Sequence, residues 1–233
     1  MNAIEIQNLS RRFGRTDAVH DLSLSVPEGS VFALLGPNGA GKTTTIKILM
    51  NLIDPTSGRA LVLGVDSRKI GPRERAQIGY VSENQSLPLW MTIRQLLAYC
   101  RPFYPTWDLA LETTLLEQFD LPAERRLKNL SRGMLMKVAL LAALAYRPKL
   151  LVLDEPFSGL DPMVRDEFVQ GILEASGLGE WTVPPTLDLP RILVIDWESL
   201  SDRKTPFPDS FGSSQSVLGE GEAGRSPDLP TRD

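Results

Sequence analysis

Apolar and polar positions alternate at the start of the chain, first at Ile4 and Ile6 and again at Leu22, Leu24 and Val26. A period of two marks strands buried on one face, here antiparallel ones. Pro27-Glu28-Gly29 then turns the chain into Val31-Phe32-Ala33-Leu34-Leu35, a continuous apolar run that ends at Gly36. Such a run fits a strand covered on both faces in a parallel sheet. A helix is expected from Lys42 to about Leu52, and strands at Ala60 to Leu63 and Ile78 to Val81, with a charged helical turn around Arg73 to Gln77 between them. Helical spacing takes over from Thr92 to Phe119, with Ile93, Leu96, Leu97, Leu111, Leu115, Leu116 and Phe119 on apolar faces. A mostly apolar helix is predicted from Met134 to Tyr146, ended by Pro148, and Leu150 to Leu153 reads as a second buried strand. A last helix is predicted from Pro162 towards Ala175.

The pattern degrades beyond Gly177, where Pro184-Pro185 interrupts the strand-like start Trp181-Thr182-Val183. Ile192 to Ile195 remains a candidate strand, and 201–233, rich in Ser, Pro, Gly and charge, is expected to be disordered. There is no internal repeat.

With 233 residues, 42% hydrophobic and 23% charged, the chain is expected to be a soluble protein with one main domain. A net charge of −4 gives no basic excess for a phosphate backbone, so no nucleic-acid partner is expected. The single cysteine, Cys100, forms no internal disulfide and points to a reducing compartment. The sequence shows neither a signal peptide nor an apolar run of about 18 residues, so any membrane association is expected through a partner.

Chemistry enters at Gly36-Pro37-Asn38-Gly39-Ala40-Gly41-Lys42-Thr43-Thr44, a G-x-x-x-x-G-K-[ST] loop between a buried strand and a helix. Glycines let backbone N–H groups wrap a β-phosphate, Lys42 neutralises terminal phosphates, and the Thr43 hydroxyl suits Mg²⁺. The strand Leu150 to Leu153 runs into the adjacent carboxylates Asp154-Glu155. Beside a phosphate loop, Asp154 can hold Mg²⁺ or its waters, and Glu155 can polarise water facing a γ-phosphate. These residues point to the phosphates of a nucleotide together with Mg²⁺.

Between these motifs stand Leu130-Ser131-Arg132-Gly133-Met134, and Ser158-Gly159-Leu160-Asp161 follows the acidic pair. This order resembles the nucleotide-binding domain of ABC transporters over Met1 to about Ser176, in the variant of the drug- and polymer-export branch. The resemblance implies ATP as the nucleotide, and a P-loop NTPase α/β core with a largely parallel sheet, an N-terminal antiparallel β layer and an inserted helical subdomain. The cassette would span 1–176, with the helical subdomain at about 82–130, a divergent segment at 177–200 and the tail beyond. Further roles are implied: Phe13 stacks on adenine; Ser131 and Gly133 meet the γ-phosphate of ATP bound on an opposite subunit; Asp161 lies at that interface; and Glu83 senses Mg²⁺, with Gln85 as a rival. Leu87 to Met91 and the helices after it would receive a transmembrane permease. The implied partners are that permease and a second ATP-binding subunit, and the implied location is the inner face of the cell membrane.

The resemblance breaks where relatives carry a strand ending in a histidine that contacts the γ-phosphate. The single histidine, His20, is far too early, and the expected place holds Trp181 to Asp188. A frameshift or rearrangement near Gly177 to Pro184 would account for this, and would be expected to expose an edge of the central sheet and weaken hydrolysis. Two alternatives stay open: a catalytically impaired ATP-binding subunit, and a non-transport ABC-type ATPase.

Overall fold

The computed structural model describes residues 1–28, 30–34, 37–82, 85–154 and 193–196. The N-terminal alternation forms β1 (Asn2–Phe13) and β2 (Thr16–Pro27), paired antiparallel with Ile4 opposite Val26 and Ile6 opposite Leu24. On its other edge β1 pairs with β4 (Ser57–Val62), which turns back into β5 (Val65–Asp66), giving the order β2-β1-β4-β5. The sequence places the end of β4 one residue later, but Leu63 has φ of 49° and starts the turn instead.

The second sheet is parallel and contains β3 (Val31–Leu34), β6 (Ile78–Ser82), β7 (Leu150–Asp154) and β8 (Leu193–Asp196), in the order β3-β8-β7-β6. The candidate strand Ile192 to Ile195 is present one residue later, as Leu193–Asp196, and it pairs with both β3 and β7. Four apolar or acidic residues in a segment of altered composition suffice, since an interior parallel strand needs only a short apolar run.

Helix α1 (Lys42–Leu49) stops short of the predicted Leu52. Asn51 takes φ of 53°, and the Leu52 and Asn51 N–H groups donate back to the Lys47 and Ile48 carbonyls, a Schellman closure. The charged turn is α2 (Pro72–Arg75). The region of helical spacing is two helices, α3 (Ile93–Cys100) and α4 (Leu109–Gln118), parted by a 3₁₀ turn at Arg101–Phe103. Helix α5 (Arg132–Leu144) begins two residues before the predicted Met134, because Ser131 caps it: the Ser131 Oγ accepts the Met134 N–H at 3.2 Å.

Two apolar clusters sandwich the parallel sheet. One joins Ile4, Ile6, Leu9, Ile46, Leu49, Leu150 and Val152, so α1 and the antiparallel sheet cover this face. The other joins Leu97, Leu115, Leu140, Leu141, Leu151 and Leu153, so α3, α4 and α5 cover the opposite face. Between them the alternating side chains of β7 are shared. Buried Glu112 fastens the α3–α4 segment, accepting from the Arg101 guanidinium at 2.6 and 3.0 Å and from the Trp107 indole at 2.8 Å. Arg147, just beyond α5, pairs with Asp108 at the cap of α4 at 2.7 Å.

The predicted helix from Pro162, the divergent segment apart from β8, and the tail lie outside the described residues. Replacing Val194 by proline removes a ladder donor from the middle of the parallel sheet, at a cost of about 3 kcal/mol or more. For a chain of this size that is roughly 6–12 °C in Tm. Thermal unfolding followed by circular dichroism should show this loss, and an unchanged midpoint would place 193–196 outside the sheet.

Candidate functional site

The strand β3 delivers the chain to the glycine-rich loop, and α1 leaves it. Within the loop the Ala40 N–H donates to the Pro37 carbonyl at 3.0 Å, closing a turn, while Pro37, Asn38 and Gly39 are exposed. Gly41 occupies the N-cap of α1 with φ of 87° and offers no side-chain cap. Gly41 thus brings no side chain over the first turn of α1, whose positive end favours an anion.

A side chain at Gly41 is excluded twice over, by the left-handed backbone and by β2. A Cβ built there would lie 2.1 Å from the Ala18 carbonyl oxygen. The same closeness shows that β2 lies directly against the loop. Phe13, paired with Thr16, stands at the tip of the β1–β2 hairpin, whose β2 strand lies against the loop. Phe13 is 47% exposed, and the Arg11 guanidinium lies 4.4 Å from its ring centroid.

Lys42 is 4% exposed, and its Nζ donates to the Pro37 carbonyl at 3.2 Å, so the loop curls around the ammonium. The Thr43 Oγ1 donates to Asp154 Oδ1 at 2.9 Å, joining the first turn of α1 to the end of β7. Thr44 is half-buried beside them, and the Thr45 hydroxyl turns back to the Gly41 carbonyl at 2.9 Å. Asp154 is 3% exposed. Its direction follows from strand parity: Leu150 and Val152 face α1, so Asp154, in phase with them, does too.

Sequence motifs gave no role to Tyr80, yet its hydroxyl reaches Asp154 Oδ2 at 3.3 Å. The available signal was parity on β6, where Ile78 and Tyr80 share a face, but only the β6–β7 register aims it at Asp154. Burial raises the Tyr80 phenol above its ordinary pKa, partly opposed by a hydrogen bond with Ser82, so it is a protonated donor at neutral pH.

Hydroxyl and carboxylate oxygens 2.9 Å apart are the hard donors that Mg²⁺ takes. Among the described residues no group of three or more His, Cys, Asp or Glu could hold a metal by itself. Mg²⁺ usually combines one or two protein oxygens with substrate phosphates.

Other expected site residues stand apart. Ser131 caps α5 and is exposed, and Gly133 in its first turn is buried. Gln85 is exposed, its N–H bonded to the Ser82 carbonyl at 3.1 Å. His20 is exposed on β2. Gly36, Glu83, Glu155 and Asp161 lie outside the described residues.

The ABC transporter family model matches residues 19–158. The chain belongs to the ABC transporter family. Similar proteins include the sulfate/thiosulfate import ATP-binding protein CysA of Escherichia coli (strain K12), 39% identical over 71% of this chain and 47% of that protein. The probable multidrug ABC transporter ATP-binding protein YbhF of the same strain is 38% identical over 71% of this chain and 29% of its own length. The chain thus spans about half or less of the curated relatives it matches. Among solved structures, an ATP-binding subunit of an ABC transporter is 28% identical with a TM-score of 0.68, covering 83% of this chain and 79% of its own. The ADP conformation of MJ1267, an ATP-binding cassette of an ABC transporter, is 25% identical with a TM-score of 0.66, covering 84% and 81%. These likenesses bear out the P-loop NTPase fold. The relatives' names include both import and multidrug transport, so they fix no direction.

Gly41→Ala should cost about 2 kcal/mol or more, since β2 has to move away. That corresponds to a Tm roughly 4–8 °C lower, measurable by calorimetry. An unchanged Tm would mean that the Ala18 backbone does not pack on the loop.

Proposed function

We propose that this cassette is the ATP-binding and ATP-hydrolysing subunit that drives an ABC transporter through a separate transmembrane permease. The observation that carries the reading is the Thr43–Asp154 hydrogen bond, which joins the phosphate loop to a buried carboxylate. In this reading the N–H groups from Gly36 to Thr44 wrap the β-phosphate, and the Lys42 ammonium exchanges its Pro37 carbonyl for terminal phosphate oxygens. Phe13 stacks on adenine with the face that Arg11 leaves open. Mg²⁺, bound through Thr43 and Asp154 with Glu83 or Gln85 near its waters, would neutralise charge developing on the β- and γ-phosphates. Glu155 accepts a proton from the attacking water as general base.

Ser131 and Gly133 would reach the γ-phosphate held by a second cassette, with Asp161 at the shared interface. The Ser131 oxygen accepts from Met134, which leaves its hydroxyl hydrogen to donate outward. A dimer is therefore proposed, with closure on ATP and reopening after hydrolysis.

Leu89 and Trp90 support a permease surface. They are 50% and 69% exposed although their turn is rigidly bonded, the Leu89 and Met91 carbonyls accepting from Lys128 and Leu127 at 3.0 and 2.9 Å. No helix among the described residues is long and apolar enough to cross a membrane, which fits a peripheral position on the inner face through that permease. The direction we propose is export, on the Leu130-Ser131-Arg132-Gly133-Met134 variant.

Steady-state Mg²⁺-ATPase activity tests the reading. Turnover should vanish in Lys42→Ala and fall about 10²–10⁴-fold in Glu155→Gln. Turnover that survives both substitutions would refute it. ATP binding without turnover in the wild-type chain would favour the impaired subunit, consistent with its lone histidine lying on β2.

A further inference from the structure

We propose that Tyr80 is a positioning residue for the cation-binding carboxylate: its phenol donates to Asp154 Oδ2 and so sets Oδ1 towards Thr43, the arrangement in which both oxygens take up Mg²⁺. The inference rests on the reading of this site as a Mg²⁺–ATP site.

Three observations carry it. Tyr80 pairs with Val152 across β6 and β7, so Asp154 is its diagonal neighbour two residues on and on the same face. Diagonal Cα positions lie about 7–8 Å apart, within reach of a tyrosine but not of a short side chain. Each carboxylate oxygen accepts a hydroxyl hydrogen bond, Oδ1 from Thr43 at 2.9 Å and Oδ2 from Tyr80 at 3.3 Å. Its terminal torsion is intrinsically broad and roughly two-fold, so a donor on each oxygen selects one orientation. Finally, the Tyr80 ring packs against the cluster containing Ile46, Leu150 and Val152, which anchors the hydroxyl to the sheet and α1.

The phenol bond is longer than the about 2.7–2.8 Å usual between hydroxyl and carboxylate. It restrains Asp154 without competing with a cation for Oδ1. Partners behind a metal ligand typically contribute 10–100-fold in metal affinity, and a loose one belongs at the low end.

The test is Tyr80→Phe in the full chain, which keeps the ring and deletes the donor. Mn²⁺ serves as the probe, its binding in the presence of ATP read by electron paramagnetic resonance. ATP affinity is measured separately in EDTA. The expected result is Mn²⁺ affinity about tenfold weaker with metal-free ATP affinity unchanged. Unchanged Mn²⁺ affinity, or an equal loss of ATP affinity in EDTA, overturns the inference. A wild-type chain that binds no nucleotide at all overturns the ATP reading and this inference with it. Wild-type binding alongside an indistinguishable variant overturns the role of Tyr80 alone.

Discussion

The alternation of side chains along β7 is the constraint on which the rest of the molecule depends. Leu150 and Val152 close the cluster beneath α1, while Leu151 and Leu153 close the cluster beneath α5. A slip of one residue would exchange the two faces. It would also carry Asp154 away from Thr43, so core packing and site geometry are set by one register. The parallel pairing of β6 with β7 extends that register to Tyr80.

The phosphate loop and its carboxylate were legible because their signals are local. A run of apolar residues that ends in glycine, followed by Lys42-Thr43, needs no knowledge of distant partners, and the same holds for Leu150 to Asp154. The antiparallel layer was readable from Ile4, Ile6, Leu22, Leu24 and Val26 for the same reason. Boundaries were missed where backbone conformation decides them, as at Asn51 and Leu63, or where a cap does, as at Ser131. Ser131 directly ahead of an apolar helix was a cap signal in plain sight.

Non-local pairing was not legible. Leu193–Asp196 reads as a short apolar run after a stretch that departs from the family pattern, and nothing in those residues says that they lie between β3 and β7. A parallel strand finds its neighbours through a long crossover, so its position is a property of the whole sheet. Tyr80 escaped notice likewise, since its partner is 74 residues away. The altered segment thus contributes a strand beside both β3, which leads into the loop, and β7, which carries Asp154.

The helical segment answers to a different constraint. Arg101, Trp107 and Glu112 satisfy one another inside it, and Arg147 ties it to the end of α5. A buried carboxylate with three donor contacts fixes geometry more than it adds stability, because desolvation offsets much of the attraction. The start of α5 and the exposed turn at Leu89 and Trp90 are thereby carried on a rigid unit.

Calorimetric titration of the full chain with ATP, with and without Mg²⁺, decides whether the phosphate loop and Asp154 act as one site. Saturable binding that tightens when Mg²⁺ is present is the expected result, because Thr43 and Asp154 then act on the nucleotide through the cation. A chain that unfolds cooperatively, and is therefore folded, yet binds no ATP, or binds it identically without Mg²⁺, would contradict this reading of the site.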